Sequence, residues 1–486
     1  MSIIYLIILA IAVGIFTFAI HKSNTSLAAW LALAVSTVGV GITALLCRIV
    51  VRGNDGDVLD QRFDWLPDLG ASFATHVNGM SAALCLLASI CFVLIILSTI
   101  NKNIEKPNSF YGLLLLSFAG LIGVFIAWDA MLFYIFWELA LIPVYFLCSM
   151  WGGENRIKVS FKFFIYTFVG SLLMLIGLIY MYNKTPNHSF SYAAFAQLKD
   201  VLTAAEQQGL FWMLFIAFAI KMPIFPLHTW QPATYSQSIT PVTMVLSAIM
   251  VKMGLFAVVR WLNPILPEAG HTFSTVIMAL CVIGIVYASL LAMVQSNIKK
   301  LVAYSSIAHI GLMCAALFSF NDIGIIGAGV QMFSHGINII GMWILVYFIE
   351  TKFKTKDMNQ MGGMAALNPT FAIFLVVITL ANVALPLTNG FIGEFMMFNG
   401  IFNAKYLNGN TYNVLFTVLA GLGIILGAVY SLGMVQKVAF GDVKDKSLTK
   451  ENTKFTNFEF VALCIVTILV IIFGFYPQPI IDLVKI

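Results

Sequence analysis

The sequence predicts an all-α polytopic membrane protein with about fourteen transmembrane helices. Three observations lead there. Only 10% of the 486 residues are charged, whereas a soluble domain carries roughly 25%. The residues AVILMFWYC make up 60% of the chain, and mean hydropathy is +0.95. Segments free of Asp, Glu, Lys and Arg recur along the whole length, and a membrane helix needs about 20 apolar residues. This balance excludes a single soluble core, a disordered chain, a nucleic-acid module and a secreted disulfide scaffold. A membrane β-barrel would alternate polar and apolar positions over about 10 residues, and the apolar runs here are continuous.

Helices are expected near 1–20, 27–47, 77–100, 108–128, 130–150, 163–182 and 209–227. Seven more are expected near 241–260, 272–295, 300–320, 323–349, 370–402, 412–436 and 458–477. The opening MSIIYLIILAIAVGIFTFAIHK lacks a basic n-region and a small-residue cleavage site, so it reads as a retained first helix. The polar stretch 437–457 reads as a charged connector, more an interfacial helix than a domain, and 183–208 as the other long loop. The seven cysteines lie in apolar stretches, none forms a CxxC, and they read as small buried hydrophobes. No Walker sequence, GxGxxG or Cys/His cluster offers a seat for ATP hydrolysis, dinucleotide binding or metal redox chemistry.

Basic residues orient the chain, because cytoplasmic loops collect Lys and Arg. With the N-terminus outside, sixteen of the 26 basic residues fall on inside loops. They are Lys22, Lys102, Lys106, Arg156, Lys158, Lys162, Lys299, Lys300, Lys352, Lys354, Lys356, Lys437, Lys444, Lys446, Lys450 and Lys454. Eight fall outside: Arg48, Arg52, Arg62, Lys184, Lys199, Arg260, Lys405 and Lys485. The loop 51–76 is acidic, with Asp55, Asp57, Asp60, Asp64 and Asp68, as suits a non-cytoplasmic surface. Both termini are expected on the non-cytoplasmic side.

Four ionisable residues sit inside apolar runs: Glu138, Lys221, Lys252 and Glu394. Each costs roughly 3 kcal/mol or more at the bilayer centre, so each needs a partner or a task. Burial raises the pKa of an acid and lowers that of an amine unless a partner compensates. Two acids and two amines therefore form a set able to exchange protons near neutrality. The other reading is two structural ion pairs that fix helix packing. Snorkelling to the interface does not suit Glu138, whose side chain is short. His309 and His335, in adjacent spans, extend the set. Ser305 and His309 are four apart, hence on one helix face, and with Lys300, Tyr304 and Ser306 they make a polar strip. A histidine in a membrane helix also serves simply as an interhelical hydrogen bond; the two together favour a relay.

Two spans look broken. Pro223 and Pro226 follow Lys221, and each removes a backbone donor. Glu394 follows Pro386, Gly390 and Gly393 in an apolar stretch from Phe371 to Phe402, which as one helix would reach about 48 Å, beyond a ~30 Å core. Breaks in the seventh and twelfth spans, an odd number apart and each beside a buried charge, point to inverted repeats around an ion path.

WELALIPVYFLCSMWGGENR, FKFFIYTFVGSLLML, KMPIFPLHTWQP and NIKKLVAYSSIAHIGLM together resemble the proton-translocating, antiporter-like subunits of respiratory complex I, the bacterial NADH:quinone oxidoreductase. The likeness runs from about residue 80 to 440 and is nearest to the subunit M type, the counterpart of mitochondrial subunit 4. It implies fourteen helices, with residues 1–106 as helices 1–3 and 107–268 as a first five-helix repeat. Residues 269–440 would be the inverted second repeat and 441–486 the last helix. It implies Glu138 as the partner of Lys221, Lys252 as the central lysine, and His309 and His335 as the continuing axis. Glu394 would gate the exit, with Pro223, Pro226 and Pro386 at the breaks. It implies no cofactor in this chain, with flavin, iron–sulfur clusters and quinone in partner subunits. Membrane and peripheral subunits of the complex, the lipid bilayer and transported protons would be its partners, with no nucleic acid. Its place would be the bacterial plasma (inner) membrane, within the respiratory electron transport chain.

Two stretches depart from the family pattern. Where the family has a proline, an acid, a histidine and Glu-Ala-Pro after HTW, this chain has the neutral run Gln231–Ile239. The family's Gly-Leu-Pro-Gly-Thr reads Ala384, Leu385, Pro386, Leu387, Thr388. Two rival functions share these features: a subunit of a multisubunit cation/proton antiporter, and a structural membrane scaffold.

Overall fold

The computed structural model describes residues 3–21, 25–53, 56–100, 102–404 and 410–485. Lys22, Asp55 and Lys405, counted above among the loop charges, lie outside those residues. The chain is a helical bundle, and each expected segment coincides with a helix. The twelfth coincides with two helices, Pro369–Asn382 and Asn389–Phe402. Among the described residues, eleven helices are long and apolar enough to cross a membrane.

Helix starts follow local chemistry. A helix leaves its first backbone N–H groups without partners, and a short polar side chain satisfies them. Asp129 accepts from the amides of Met131 and Leu132 at the start of the helix Ala130–Met150, which carries Glu138. Asn297 does the same for Lys299 and Lys300 at the start of Ile298–Leu317, which carries His309. Thr203 with Glu206, and Thr456 with Glu459, form reciprocal capping boxes.

Burial separates a centre from a rim. The helix Asp322–Phe353 is enclosed over its whole most apolar window, and Thr240–Leu262 over 94% of its own. Tyr412–Ala439 and Asn457–Phe475 are enclosed over only 28%, and expose Ile425, Val429, Ile468 and Ile471 as a lipid-facing surface would. Lys252 and His335 thus ride on the two most enclosed helices.

Two elements differ from expectation. The acidic loop 51–76 contains an antiparallel hairpin, β1 (Asp60–Leu66) and β2 (Ala71–His76). Its turn ends at Gly70, φ 62°. A Cβ there would meet the His188 carbonyl oxygen at 2.0 Å, so the tip needs glycine to lie against the 183–208 loop. The connector 440–456 holds turns and no helix. Hydrogen bonds to other segments replace helical ones: Gly363 N–H donates to the Phe440 carbonyl at 3.1 Å, and Asn368 Nδ2 to the Thr453 carbonyl at 2.7 Å.

Both expected breaks exist. One helix ends at Lys221, and the chain turns until Gln231. Trp230 Nε1 donates to the freed Ile220 carbonyl at 2.9 Å. The other break, Val383–Thr388, holds Ala384 at φ 54° and Leu387 at φ 72°. These are the two positions at which the family pattern has glycine. A left-handed conformation costs an L-residue roughly 1–2 kcal/mol. Leu387 also exposes its side chain, so little packing offsets that cost. Leu387→Gly is expected to raise stability by about 1 kcal/mol, read as a higher thermal midpoint of the purified protein.

Candidate functional site: a buried chain of acids, amines and imidazoles

Lys252 lies in the helix Thr240–Leu262, which is interrupted by π-turns at Leu246–Met250 and Val258–Leu262. The amide of Val251 reaches back to the Leu246 carbonyl, five residues earlier. An extra residue in the turn rotates everything beyond it, and π-turns of this kind are frequent at functional sites. The result is that Lys252 Nζ donates to the Ser247 carbonyl at 3.0 Å and to His335 Nδ1 at 2.9 Å. Lys252 is fully buried, and among the described residues no carboxylate contacts it.

From His335 the chain of groups continues. The His335 and His309 rings are 5.4 Å apart, centre to centre. His309 Nδ1 lies 3.2 Å from Glu394 Oε1, an ion pair when the imidazole is protonated. Gln331 Nε2 donates to the same oxygen at 3.3 Å. Gln331 and His335 are four apart on one helix face, so one helix presents both to the groups that follow. Beside His309 and Glu394 is a cavity of about 30 Å³, also lined by Asn382 and Tyr430. That is room for a water. Ser305, one turn before His309, accepts from Asn382 Nδ2 at 3.3 Å and from the Tyr430 hydroxyl at 3.0 Å.

Glycine packing places Glu394. The helix Asn389–Phe402 lies against Asp322–Phe353 through Gly393, Met397 and Gly400. A Cβ on Gly400 would come within 2.3 Å of the Gly324 Cα, and one on Gly393 within 2.6 Å of Gln331 Oε1. Small residues permit this approach of two backbones in a membrane.

Glu138 and Lys221 stand apart from this chain, near each other but not in ion-pair contact. Lys221 Nζ rests over the Trp137 ring, 5.3 Å from its centre, a favourable seat for a cation. Neither Lys221 Nζ nor Glu138 Oε1 has a hydrogen-bond partner among the described residues, and both atoms are buried. The expected Glu138–Lys221 pair is therefore present as neighbours, not as a closed ion pair. The Lys221 helix does touch the Lys252 helix: a Cβ on Gly254 would meet the Phe218 carbonyl at 2.7 Å. Pro223 and Pro226 lie in the turn after Lys221, and Pro386 in the turn before Glu394.

Buried charges at predicted span ends escape sequence reading: Asp129 and Glu459, which cap helices, and Lys299 and Arg260. Lys299 is fully buried, not a loop charge. Its Nζ donates to the Ser238 carbonyl at 2.7 Å and lies 3.6 Å from Glu350. Arg260 is 5% exposed; its guanidinium donates to Asn78 Oδ1 and Ser81 Oγ and lies over Trp128 and Phe256. A signal existed for Arg260 and Lys299: the apolar run continues past each, through Trp261 and Leu262, and through Leu301 and Val302. Among the described residues, no three His, Cys, Asp or Glu side chains gather as a metal site requires.

A helical membrane bundle threaded by buried lysines, histidines and glutamates defines an antiporter-like membrane subunit. The family model described as "NADH:quinone oxidoreductase/Mrp antiporter, TM" matches residues 127–423, and the chain belongs to that family. Similar curated proteins are named NADH-quinone oxidoreductase subunit M. That of Rickettsia conorii is 37% identical over 425 residues, covering 87% of this chain and 83% of its own. That of Escherichia coli K12 is 34% identical over 435 residues, covering 86% and 82%. Among solved structures, respiratory complex I from Thermus thermophilus contains a chain of the same fold. Its TM-score is 0.88 at 24% identity, covering 100% of this chain and 98% of that one. A chain of the Mrp complex from Dietzia has a TM-score of 0.82 at 18% identity, covering 99% of this chain and 51% of that one.

Gly400→Ala is expected to cost about 1–3 kcal/mol, because its neighbour is backbone and cannot move aside. Gly421, on a rim helix, has open space where a Cβ would stand, with no described atom within 4 Å. Gly421→Ala is therefore expected to be neutral or stabilising. Thermal denaturation of the two purified variants reads the contrast.

Proposed function

We propose that this chain is a proton-translocating membrane subunit of an NADH:quinone oxidoreductase. Protons would move through its buried axis, driven by redox chemistry in other subunits. The observation that carries this reading is the series Lys252–His335–His309–Glu394, in direct polar contact at both ends and joined in the middle by two imidazole rings 5.4 Å apart. The relatives at 34–37% identity support the redox partner rather than an antiporter complex. The Mrp likeness is one of fold, and it keeps the cation/proton antiporter as the second reading.

In this mechanism, energy arrives from neighbouring subunits as an electrostatic or conformational push. Opposite charges a few ångströms apart shift a pKa by about 1–3 units. When Glu138 closes on Lys221, the ammonium is held; when it withdraws, the proton is released toward Lys252. His335 accepts it from Lys252, and an imidazole can take a proton on one nitrogen while giving one from the other. His309 then passes it to Glu394, beside the break at Val383–Thr388, for release. The two breaks supply movable backbone next to the first and last groups. Residues 107–268 and 269–440 would be inverted repeats, preceded by 1–106 and followed by 441–486.

Flavin, iron–sulfur and quinone chemistry would belong to partner subunits, and the lysine-rich face would be cytoplasmic in a bacterial plasma membrane. Both termini would then be non-cytoplasmic. Purification from native membranes should bring down peripheral redox subunits; co-purification with antiporter subunits alone overturns the assignment. Glu138→Gln and Lys221→Ala should abolish coupled pumping, read with a pH-sensitive dye in membrane vesicles, while leaving assembly intact. Full pumping by the assembled variants would sink the relay. A structural scaffold instead predicts that neutralising these charges is harmless or stabilising.

A further inference from the structure

The relay proposed above brings a proton to Lys252 from Lys221 and does not include a direct supply to Lys252 from the lysine-rich face. Between that face and Lys252 is a second series of buried polar groups. Glu350 stands at the mouth, its side chain 24% exposed. It lies between Lys299 at 3.6 Å and Lys356 at 3.5 Å, and accepts from the Thr240 hydroxyl at 2.5 Å. Both lysines are also anchored, Lys299 on the Ser238 carbonyl and Lys356 on the Ser236 carbonyl at 2.9 Å. The carboxylate is thus fixed in place with one edge toward water.

Inward from Thr240 every polar group is fully buried: Thr243, Tyr235, Gln231 and Ser247. At about 100° per residue, Thr240, Thr243 and Ser247 share one helix face. Lys252 would point about 140° from Ser247 on an uninterrupted helix. The π-turn at Leu246–Met250 returns it to that face, as its bond to the Ser247 carbonyl records. Tyr235 and Gln231, four apart on the short helix Gln231–Gln237, face the same space. The Tyr235 hydroxyl is near enough to the side chains of Gln231 and Ser247 to interact electrostatically with both. Yet Tyr235 Oη, Ser247 Oγ and both polar atoms of Gln231 have no hydrogen-bond partner among the described residues. A group of orphaned buried polar atoms is costly, and their convergence beside Lys252 asks for a function. Tyr235 and Gln231 also belong to the neutral run in which the family pattern has acids and a histidine.

We infer that Glu350, Thr240, Tyr235 and Ser247 form a proton-uptake path that loads Lys252 directly from the lysine-rich face, beside the supply from Lys221. The inference rests on the relay proposed above. Glu350 takes a proton from water on one carboxylate oxygen and offers it to Thr240. Each hydroxyl accepts a proton on oxygen as it gives up its own, and the neutral Lys252 amine is the final acceptor. The step from Thr240 to Tyr235 requires an ordered water as bridge. Gln231 orients the Tyr235 hydroxyl, and Lys299 and Lys356 keep the Glu350 carboxylate in position.

The test uses the assembled complex in native membrane vesicles and reads protons moved per electron pair. Four variants are compared: Glu350→Gln, Glu350→Asp, Tyr235→Phe and Lys252→Ala. Glu350→Gln and Tyr235→Phe are expected to slow proton movement through this chain about tenfold or more, and Glu350→Asp, which keeps a carboxylate, to recover it. If both pump at the parental ratio while Lys252→Ala does not, the uptake path is overturned and the relay stands. If Lys252→Ala itself pumps at the parental ratio, the relay falls and the path with it. Tyr235→Phe removes a single oxygen, so it decides the matter should Glu350→Gln fail to assemble.

Discussion

A charge enclosed by helices has to find a partner inside the protein, because lipid supplies none. This requirement explains the arrangement of the centre. Lys252 has no acid in reach among the described residues and rests on a carbonyl and an imidazole. That imidazole faces a second one, which meets Glu394. Lys252 and His335 are hydrogen-bonded, as are Gln331 and Glu394, with His309 paired to Glu394, while His335 Nε2 has no partner among the described residues. The two most enclosed helices carry the middle of the series, while rim helices carry apolar surface. Close approach of Gly324 to Gly400, and of Gly393 to Gln331, brings the last acid within reach.

Much of this was legible in the sequence. Segments free of charge mark helices because an unpaired charge is expensive in hydrocarbon, so the helix positions and the residues Lys221, Lys252, His309, His335 and Glu394 stand out. What composition does not encode is the pairing. Lys252 with His335 joins residues 83 apart, and only packing decides that. The π-turn that aims Lys252 leaves no mark in an apolar run. Lys299 and Arg260 were hidden because a charge at the edge of a span reads as the end of that span. The hairpin 60–76 was hidden by its own acidity, since charged exposed strands look like loop.

The two breaks share a task and differ in construction. After Lys221 the chain turns through two prolines, and an indole N–H takes up a freed carbonyl. Before Glu394 the turn needs two left-handed residues and uses alanine and leucine. Strain of this kind persists only where surrounding packing dictates it. Here Gly390 lies against the Ala381 carbonyl and Gly474 against that of Leu387, which confine the turn from two sides.

The helix Asp322–Phe353 runs 32 residues without a break, about 48 Å. It carries Glu350 near one end, His335 in the middle and Gln331 toward the other. The helices of Lys221 and Glu394 can bend at their turns; this one has no such joint. A rod that cannot bend must shift or roll as a unit. Any movement that brings Glu350 nearer its neighbours also displaces Gln331 at Glu394, so the proposed entrance and exit would share a single mechanical linkage.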